Sequence, residues 1–535
     1  MSGSRLRPPD DPRLRALAER LRDDLALIDP LGAYLRGGGE ARAGLPRGGV
    51  DAEDDGRDRL ETARRGLAAI DAEGLGPDDA LDRLALGAGV GRAGAGGAIR
   101  RAPGGAIMVE RHLLAVLTRL EWEPGTAGEA LAEMAESAPR FLAEARESCL
   151  GCPAPAAQVA LAAAQRLPQI LDLAAAGAAA TRVPGALRQR IEAALGALLM
   201  AAAEDAGWLV REVLPSAGRP PVPLNPEAEV AAEALGMSLA EVEAAAEAAL
   251  AERALAADAG GLRGDAGGPG EPSPTGGGAV PPGGGVPPPP GRPGATHSLG
   301  AALVSLTPEL VERAWRQVAE RGGRFCAPPP AGIAIEPAPA WLGPLLPPLA
   351  LVPAPVESDG PARLLVGDAP PLSPADLEGM VAAVYLQDFL PAAWQRAEPR
   401  LARLLLPAAD LGEGWRLHAH AAAPLARWRP EERGREVAWR ALLALIAAGM
   451  LRGRMDVATG ADLIERETAM AAETALAQAT HVAAAPMAAL RWIAGRRLVE
   501  AALSGPGSTG DPAQARAALL RRGPLPGAAI SLLSA

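Results

Sequence analysis

A glycine- and proline-rich run near the middle of the chain limits what the rest can fold into. Residues 258–298 read DAGGLRGDAGGPGEPSPTGGGAVPPGGGVPPPPGRPGATHS, a stretch with no apolar face to bury. We therefore predict a linker or a disordered insertion there. It separates an N-terminal helical half, residues 1–257, from a C-terminal half, residues 299–535, and 535 residues suffice for large cores.

Both halves show the helical spacing of apolar residues. Asp11 and Pro12 form a typical N-cap and first-turn pair, and leucines then recur at helical intervals. A capping box of Ser238 and Glu241 opens a later helix. We predict a mainly α, large multi-helical fold, with N-terminal helices near 58–73, 106–122, 128–148, 155–176, 185–214 and 226–256.

A small β element is predicted in the C-terminal half, between helices that begin at Thr307 and at Ser373. Three short runs rich in branched apolar residues read as strands, at 332–339, 349–355 and 362–368. From Ser373 to about residue 500 the pattern is again helical.

The charge balance and the cysteine count restrict partners and location. The net charge is -11, and all 53 basic residues are arginine without forming a long basic cluster, which argues against a nucleic-acid partner. We find no apolar signal segment at the N-terminus and no run of 18 uncharged apolar residues, so no membrane association is expected. The odd number of cysteines, three, favours a reducing compartment. A cytoplasmic location is predicted.

The stretch VYLQDFLPAAWQ at 384–395 follows the predicted strands, and several other segments stand in a recognisable order. These include LALIDPLGAYL, SAPRFLAEA, WLVREVLPSA, LGMSLAEVE and RRGPLPGAAISLL. In their order and content they resemble the bacterial family catalogued as domain of unknown function 885, over nearly the whole chain. Its members are large, mostly helical, predicted zinc peptidases of the gluzincin type.

The resemblance implies a metal site whose ligands this chain lacks. The family's helix reads Tyr-His-Glu-x-x-Pro-Gly-His-His-x-Gln; Tyr385 and Gln395 match it. Leu386 and Gln387 replace the His-Glu pair, and Ala392 and Ala393 replace the paired histidines.

Downstream positions are mixed. Glu413, in the sequence EGW, matches a family carboxylate that helps to hold the metal, and Trp439 and Arg440 match a Trp-Arg pair. Ala447 and Leu451 stand where the family has an Asp and a His.

A hydrolytic zinc site needs about three ligands with lone pairs and a base for the attacking water. Leucine and alanine cannot ligate, and the Gln387 amide cannot take a proton. The first hypothesis is therefore a pseudo-peptidase without a cofactor, which keeps the scaffold and cleft. Its unknown peptide, small-molecule or protein partner would meet the remaining polar groups, which are Tyr385, Gln387, Glu413 and Arg440.

Two other hypotheses stay open. A working metallohydrolase could hold zinc through a rebuilt site of Glu413, His418 and His420, with His481 as a further candidate. Residues two apart on a helix point about 160 degrees away from each other, which argues against both histidines facing one metal. The third hypothesis is a chain with no selected activity.

Two short motifs carry less weight. Cys149 and Cys152 form a CxxC without the second pair that a four-thiolate zinc site requires. GAGVGRAG, residues 87–94, contains a GxGxxG but follows no strand, so we predict a loop between two helices rather than a nucleotide site.

Overall fold

The computed structural model describes most of the chain. The described residues are 6–36, 44–99, 105–147, 152, 154–217, 235–259, 303–354, 356, 360–407, 409–423, 430–505, 510–527 and 529–530. The Gly/Pro-rich segment predicted at 258–298 lies outside them, apart from its first two residues, and so does Cys149.

The predicted mainly α fold class is confirmed. The N-terminal helices are α1 Pro12–Ile28, α2 Pro30–Arg36, α3 Val50–Ala68, α4 Pro77–Ile99, α5 Gly105–Leu120, α6 Pro124–Ala145, α7 Ala154–Ala180, α8 Gly185–Trp208 and α9 Leu239–Ala259. The C-terminal helices are α10 Pro308–Gly322, α11 Pro374–Ala383, α12 Leu390–Ala397, α13 Leu401–Leu405, α14 Ala409–Ala422, α15 Pro430–Leu451, α16 Val457–Thr468, α17 Ala472–Ala484, α18 Pro486–Ser504 and α19 Pro512–Arg521.

The predicted caps form as expected. The Asp11 carboxylate accepts from the N–H groups of Arg13 and Leu14 at the start of α1. Thr307 caps α10. The Ser238 hydroxyl accepts from the Glu241 N–H while the Glu241 carboxylate accepts from the Ser238 N–H, which is a complete capping box.

The three predicted strands are also confirmed, as β1 Ile333–Pro337, β2 Leu349–Val352 and β3 Ala362–Val366. They form one sheet in the order β1-β3-β2, in which β1 runs parallel and β2 antiparallel to β3. The buried side chains of β3, among them Leu364 and Leu365, attach this sheet to the helical core.

Hydrophobic clusters join the two predicted halves. Leu81 of α4 packs in one cluster with α10, β3 and α11. Val242 of α9 packs in another with α15, α17 and α18. Leu401 and Leu405 of α13 pack against α1, α3 and α4. Burial of apolar surface therefore ties residues before 258 to residues after 298.

The loop predicted at residues 87–94 is wrong, because α4 runs through it. A helical glycine costs about 1 kcal/mol relative to alanine, but packing can require it. A Cβ on Gly89 would lie 2.5 Å from the Leu406 Cβ, so glycine lets α4 approach the segment after α13. The sequence shows the glycines, but it does not show that Leu406 packs against Gly89.

One helix in the described part of the chain, Gly185–Ser216, is long and apolar enough to cross a membrane by length and composition alone. The expectation of no membrane association considered only uncharged windows, whereas this helix includes charged residues. Core helices of soluble proteins meet the same criterion, and α8 packs one face, which includes Ile191 and Leu198, into the N-terminal core.

Candidate functional site

The stretch 384–395 lies in a continuous helical rod that begins at the Ser373 N-cap and ends at Ala397. Between α11 and α12 the rod widens into a π-helical turn, Val384–Phe389. The Leu390 N–H bonds to the Tyr385 carbonyl, five residues back, and Pro391 follows. Proline lacks an N–H and clashes with the carbonyl four residues before it, so a wider turn relieves the strain.

The same arrangement occurs after α8. Leu209–Val213 is a π-helical turn, the Leu214 N–H bonds to the Leu209 carbonyl, and Pro215 follows. Sequence analysis missed both turns. The Leu-Pro pair inside an apolar helical run was the available indication.

Tyr385 and Leu386 belong to the core. Tyr385 is 2% exposed, contacts Trp315 edge-on at 5.1 Å between ring centroids, and stacks near Phe389. Burial raises the pKa of Tyr385 to about 12. Leu386, at a position where the resemblance implies a histidine, is fully buried, and its carbonyl accepts a 2.7 Å hydrogen bond from Trp415 Nε1. This carbonyl therefore already has a protein partner.

The other positions on this rod where the resemblance implies ligands or a base carry an amide or alanine. Gln387 is half-buried, and its Nε2 lies 3.5 Å from His420 Nδ1 on α14. Ala392 is half-buried, and Ala393 is buried. Of the polar groups predicted to remain on this rod, Gln387 thus faces α14 while Tyr385 packs against α10.

Glu413 lies on α14 in a poorly solvated position. Burial raises its pKa from 4.5 to about 7, the nearby Asp410 carboxylate adds to that rise, and Arg491 opposes it. Its Oε2 atom is buried and accepts no hydrogen bond from any described residue. A carboxyl with a pKa near neutrality can exchange a proton at physiological pH.

Arg440 of α15 is buried against α18. Its guanidinium stacks over the Trp492 ring at 4.0 Å from the centroid, and its Nε lies 2.8 Å from Glu436 Oε1. The positive charge of Arg440 also lowers the pKa of Glu413, so these two predicted groups share one electrostatic environment. Ala447 and Leu451, further along α15, are buried in the same hydrophobic cluster as Trp492.

The two neighbouring histidines face different elements, as the helical geometry predicted. His418 packs between Phe325 and Trp415, about 6 Å from each ring, and burial lowers its pKa to about 4. His420 faces Gln387. Burial also lowers the pKa of His481 on α17.

No group of three or more His, Cys, Asp and Glu side chains within the described ranges is arranged to hold a metal ion. The geometry therefore gives no support to a rebuilt zinc site of Glu413, His418 and His420. With His418 held in an aromatic cluster, the three side chains do not converge.

Buried polar atoms without hydrogen-bond partners recur on the helices around Glu413 and Arg440. Native structures rarely leave such atoms unsatisfied, and bound water or ligand is a common explanation. In the described part of the chain, these atoms include Glu413 Oε2 and His418 Nε2 on α14, Trp439 Nε1 on α15, Gln478 Oε1 and His481 Nε2 on α17, and Trp492 Nε1 on α18. Sequence analysis had named Glu413, His418, His481 and the Trp439-Arg440 pair, but not Gln478.

Comparison with known proteins identifies a fold but no family. No family model matches the chain, and no curated protein matches it significantly in sequence. It is similar to a solved "putative lipoprotein of unknown function" from Shewanella oneidensis, with 13% identity, 97% of this chain and 98% of that chain covered, and a TM-score of 0.66. A "putative lipoprotein" from Colwellia psychrerythraea shows 14% identity, the same coverage and a TM-score of 0.69. At these identities the similarity establishes a shared fold and nothing further.

Proposed function

We propose that this chain is a non-catalytic protein with a peptidase-like scaffold, and that it uses the interior around Glu413 and Arg440 to bind a ligand. The observation that supports a non-catalytic protein is the burial of hydrocarbon side chains at positions where the resemblance calls for ligands. Leu386, Ala447 and Leu451 are all less than 5% exposed. Such side chains offer no lone pair to a metal ion.

The buried polar atoms without partners support the proposed ligand binding around Glu413 and Arg440. Trp439 and Trp492 contribute indole N–H donors, and Glu413 contributes an acceptor oxygen. Arg440 adds a guanidinium held by Trp492 and Glu436. Donors, an acceptor and a fixed charge on packed helices are the usual equipment of a site for a polar ligand. The ligand class, whether peptide, small molecule or part of a protein, is left open by these groups.

Zinc content tests the non-catalytic assignment. Protein purified without chelator and dialysed against micromolar zinc should hold less than about 0.1 equivalent, because fewer than three ligands converge. It should not hydrolyse a mixed peptide library above the buffer rate. About one equivalent of zinc together with chelator-sensitive hydrolysis would contradict the proposal.

A matched variant distinguishes specific from incidental zinc. His420→Ala and His481→Ala should leave the small residual zinc content unchanged. A drop that follows either substitution would place that histidine at a real metal site and favour the working metallohydrolase.

The cellular location of the protein is a separate proposal. The cytoplasm is our proposed location, although the descriptions of the two structural neighbours as lipoproteins favour a membrane-attached one. Recovery of the native protein in a salt-washed membrane fraction, released by detergent alone, would overturn the cytoplasmic proposal.

A further inference from the structure

A pocket of about 610 Å³ lies away from the Glu413 region. It opens where the N-terminal segment, the start of α4, the α12–α13 connection and the end of α19 meet. Its lining includes five arginines, Arg7, Arg400, Arg403, Arg521 and Arg522. In a chain with a net charge of -11, this concentration of positive charge at one pocket needs an explanation.

Two of these arginines are buried and held rigidly. Arg400 is 6% exposed; its Nε and Nη2 donate to Asp82 at 2.8 and 2.6 Å, and its Nη2 also donates to Asp79. Arg403 is 3% exposed, donates to Asp82 at 2.7 Å, and donates through Nη1 to the Arg522 carbonyl at 2.9 Å. Arg403 also donates through Nη2 to Asp78 at 2.9 Å, so each of its nitrogens has a protein acceptor and its role is to hold the cluster. The Arg400 guanidinium, fixed on one side by Asp79 and Asp82, is preorganised for an anion.

One nitrogen of Arg400 is left over. Its Nη1 is buried and makes no hydrogen bond to any described residue. The Asp78 Oδ2 atom lies 3.8 Å from this nitrogen, too far for a hydrogen bond, and Asp78 is itself a lining residue. A buried N–H without an acceptor costs free energy, and a ligand oxygen that reached the inner wall would supply one.

The outer arginines have no comparable structural task. The Arg521 guanidinium lies over the Trp394 ring at 4.6 Å and 3.5 Å from Glu398, and both members of that ion pair are well exposed. Arg7 pairs with Asp10 at 3.2 Å on the surface. Exposed pairs of this kind contribute little to stability. Contacts with Asp78, Asp79 and Asp82 explain the positions of Arg400 and Arg403, but not why three more arginines line the same opening.

We propose that this pocket binds the phosphate group of a phosphorylated small molecule, a phosphate monoester. Arginine matches phosphate oxygens with paired N–H donors. Five arginines line the pocket beside the carboxylates Asp78 and Glu398, with Asp79 and Asp82 buried behind Arg400 and Arg403, and a dianion gains more from several arginines than one carboxylate does. The volume exceeds what inorganic phosphate fills and lies within the range of small-molecule sites. Apolar lining from Leu81 and Ala518 would contact the organic part.

Calorimetric titration of the full-length protein tests this, with phenyl phosphate as the probe and benzoate as its singly charged counterpart. We expect saturable 1:1 binding of phenyl phosphate at 50 mM salt, weakened several-fold at 300 mM salt by screening. Benzoate should bind at least about tenfold more weakly. No saturation by phenyl phosphate up to 5 mM, or equal affinity for benzoate, would overturn the proposal.

Paired substitutions locate the site. Arg521→Gln with Arg522→Gln should reduce phenyl phosphate affinity by about tenfold or more. Arg316→Gln with Arg497→Gln removes the same charge from exposed helix faces and should change it by less than about twofold. An equal loss in both double variants would show only a general charge effect and would refute the site. The substituted Arg521 and Arg522 are not among the buried arginines. Replacing the buried Arg400 would instead leave the Asp82 carboxylate without one of its hydrogen-bond donors.

Discussion

At the scale of single residues, the helical rod at 384–395 shows how burial selects side-chain chemistry. Leu386 occupies a fully buried position, while its backbone carbonyl accepts from Trp415. A histidine there would need a partner for each ring nitrogen or incur a desolvation cost. Leucine therefore suits this core position. Gln387 and Glu413 lie where burial is incomplete, whereas the buried Arg440 keeps its charge through contacts with Glu436 and Trp492.

Glu413 makes stability depend on pH. Its pKa rises from 4.5 to about 7 on folding, so the folded state binds more protons than the unfolded state between those values. The free energy of unfolding therefore falls as pH rises through this window. Glu413→Gln should remove the cost of ionising this buried carboxyl. It should therefore raise the free energy of unfolding over the wild type by about 2 kcal/mol more at pH 8 than at pH 5. Urea unfolding at both pH values measures this, with the exposed Glu247→Gln as control.

His418 acts in the opposite direction. Its folded pKa of about 4 lies below the ordinary 6.5, so it contributes stability above pH 6.5 that is lost as pH falls toward 4. In the wild type the two residues oppose each other between about pH 4.5 and 6.5. Glu413→Gln should therefore reveal a steeper acid destabilisation, and an unchanged slope would contradict the assignment of opposing titrations to these two groups.

At the scale of secondary-structure elements, α14 and α18 pack in near backbone contact. A Cβ on Gly414 would lie 2.1 Å from the Gly495 carbonyl carbon, and a Cβ on Gly495 would lie 2.2 Å from the Asp410 carbonyl oxygen. Only glycine allows helices to approach this closely. The contact sets the position of Glu413, which precedes Gly414 on α14.

Gly414→Ala should therefore force α14 and α18 apart. We expect a loss of about 3 kcal/mol in the free energy of unfolding, because the clash is with backbone that cannot rotate away. Gly412→Ala, two residues earlier with no atom within 4 Å, is the matched control and should be neutral or slightly stabilising. Similar denaturation midpoints for the two variants would show that the helices do not touch.

At the scale of the whole molecule, a buried ionic cluster fastens α4 to α13. Asp82 is fully buried and accepts from both Arg400 and Arg403, which lie more than 300 residues away in sequence. Removing one partner from such a cluster leaves an uncompensated charge. These ion pairs link residues that precede the Gly/Pro-rich segment in the sequence to residues that follow it.

Asp82→Asn should accordingly destabilise the protein by about 3 to 5 kcal/mol. Asp10→Asn, which removes the exposed partner of Arg7, should cost less than about 1 kcal/mol. Thermal or urea unfolding compares the two variants. A small effect of Asp82→Asn would mean that Asp79 and Asp78 can replace it as partners of the arginines.

Much of the fold could be predicted because its causes are local. Proline and Asp or Ser at helix starts, leucine spacing, and branched apolar runs placed α1, α11 and all three strands correctly. The failures, at residues 87–94 and at the π-helical turns, depended on neighbours such as Leu406 or on how a proline is accommodated inside a packed rod.

The sequence by itself determined which side chains exist at 386, 392, 393, 447 and 451, and hence that no lone pairs are available there. Only the tertiary structure decided that His418 and His420 face different elements, that burial moves the Glu413 pKa to about 7, and that arginines from Arg7 to Arg522 line one pocket. The reason is physical. Bonding capacity and helical periodicity are properties of the local chain, whereas burial and charge proximity arise when distant segments pack together.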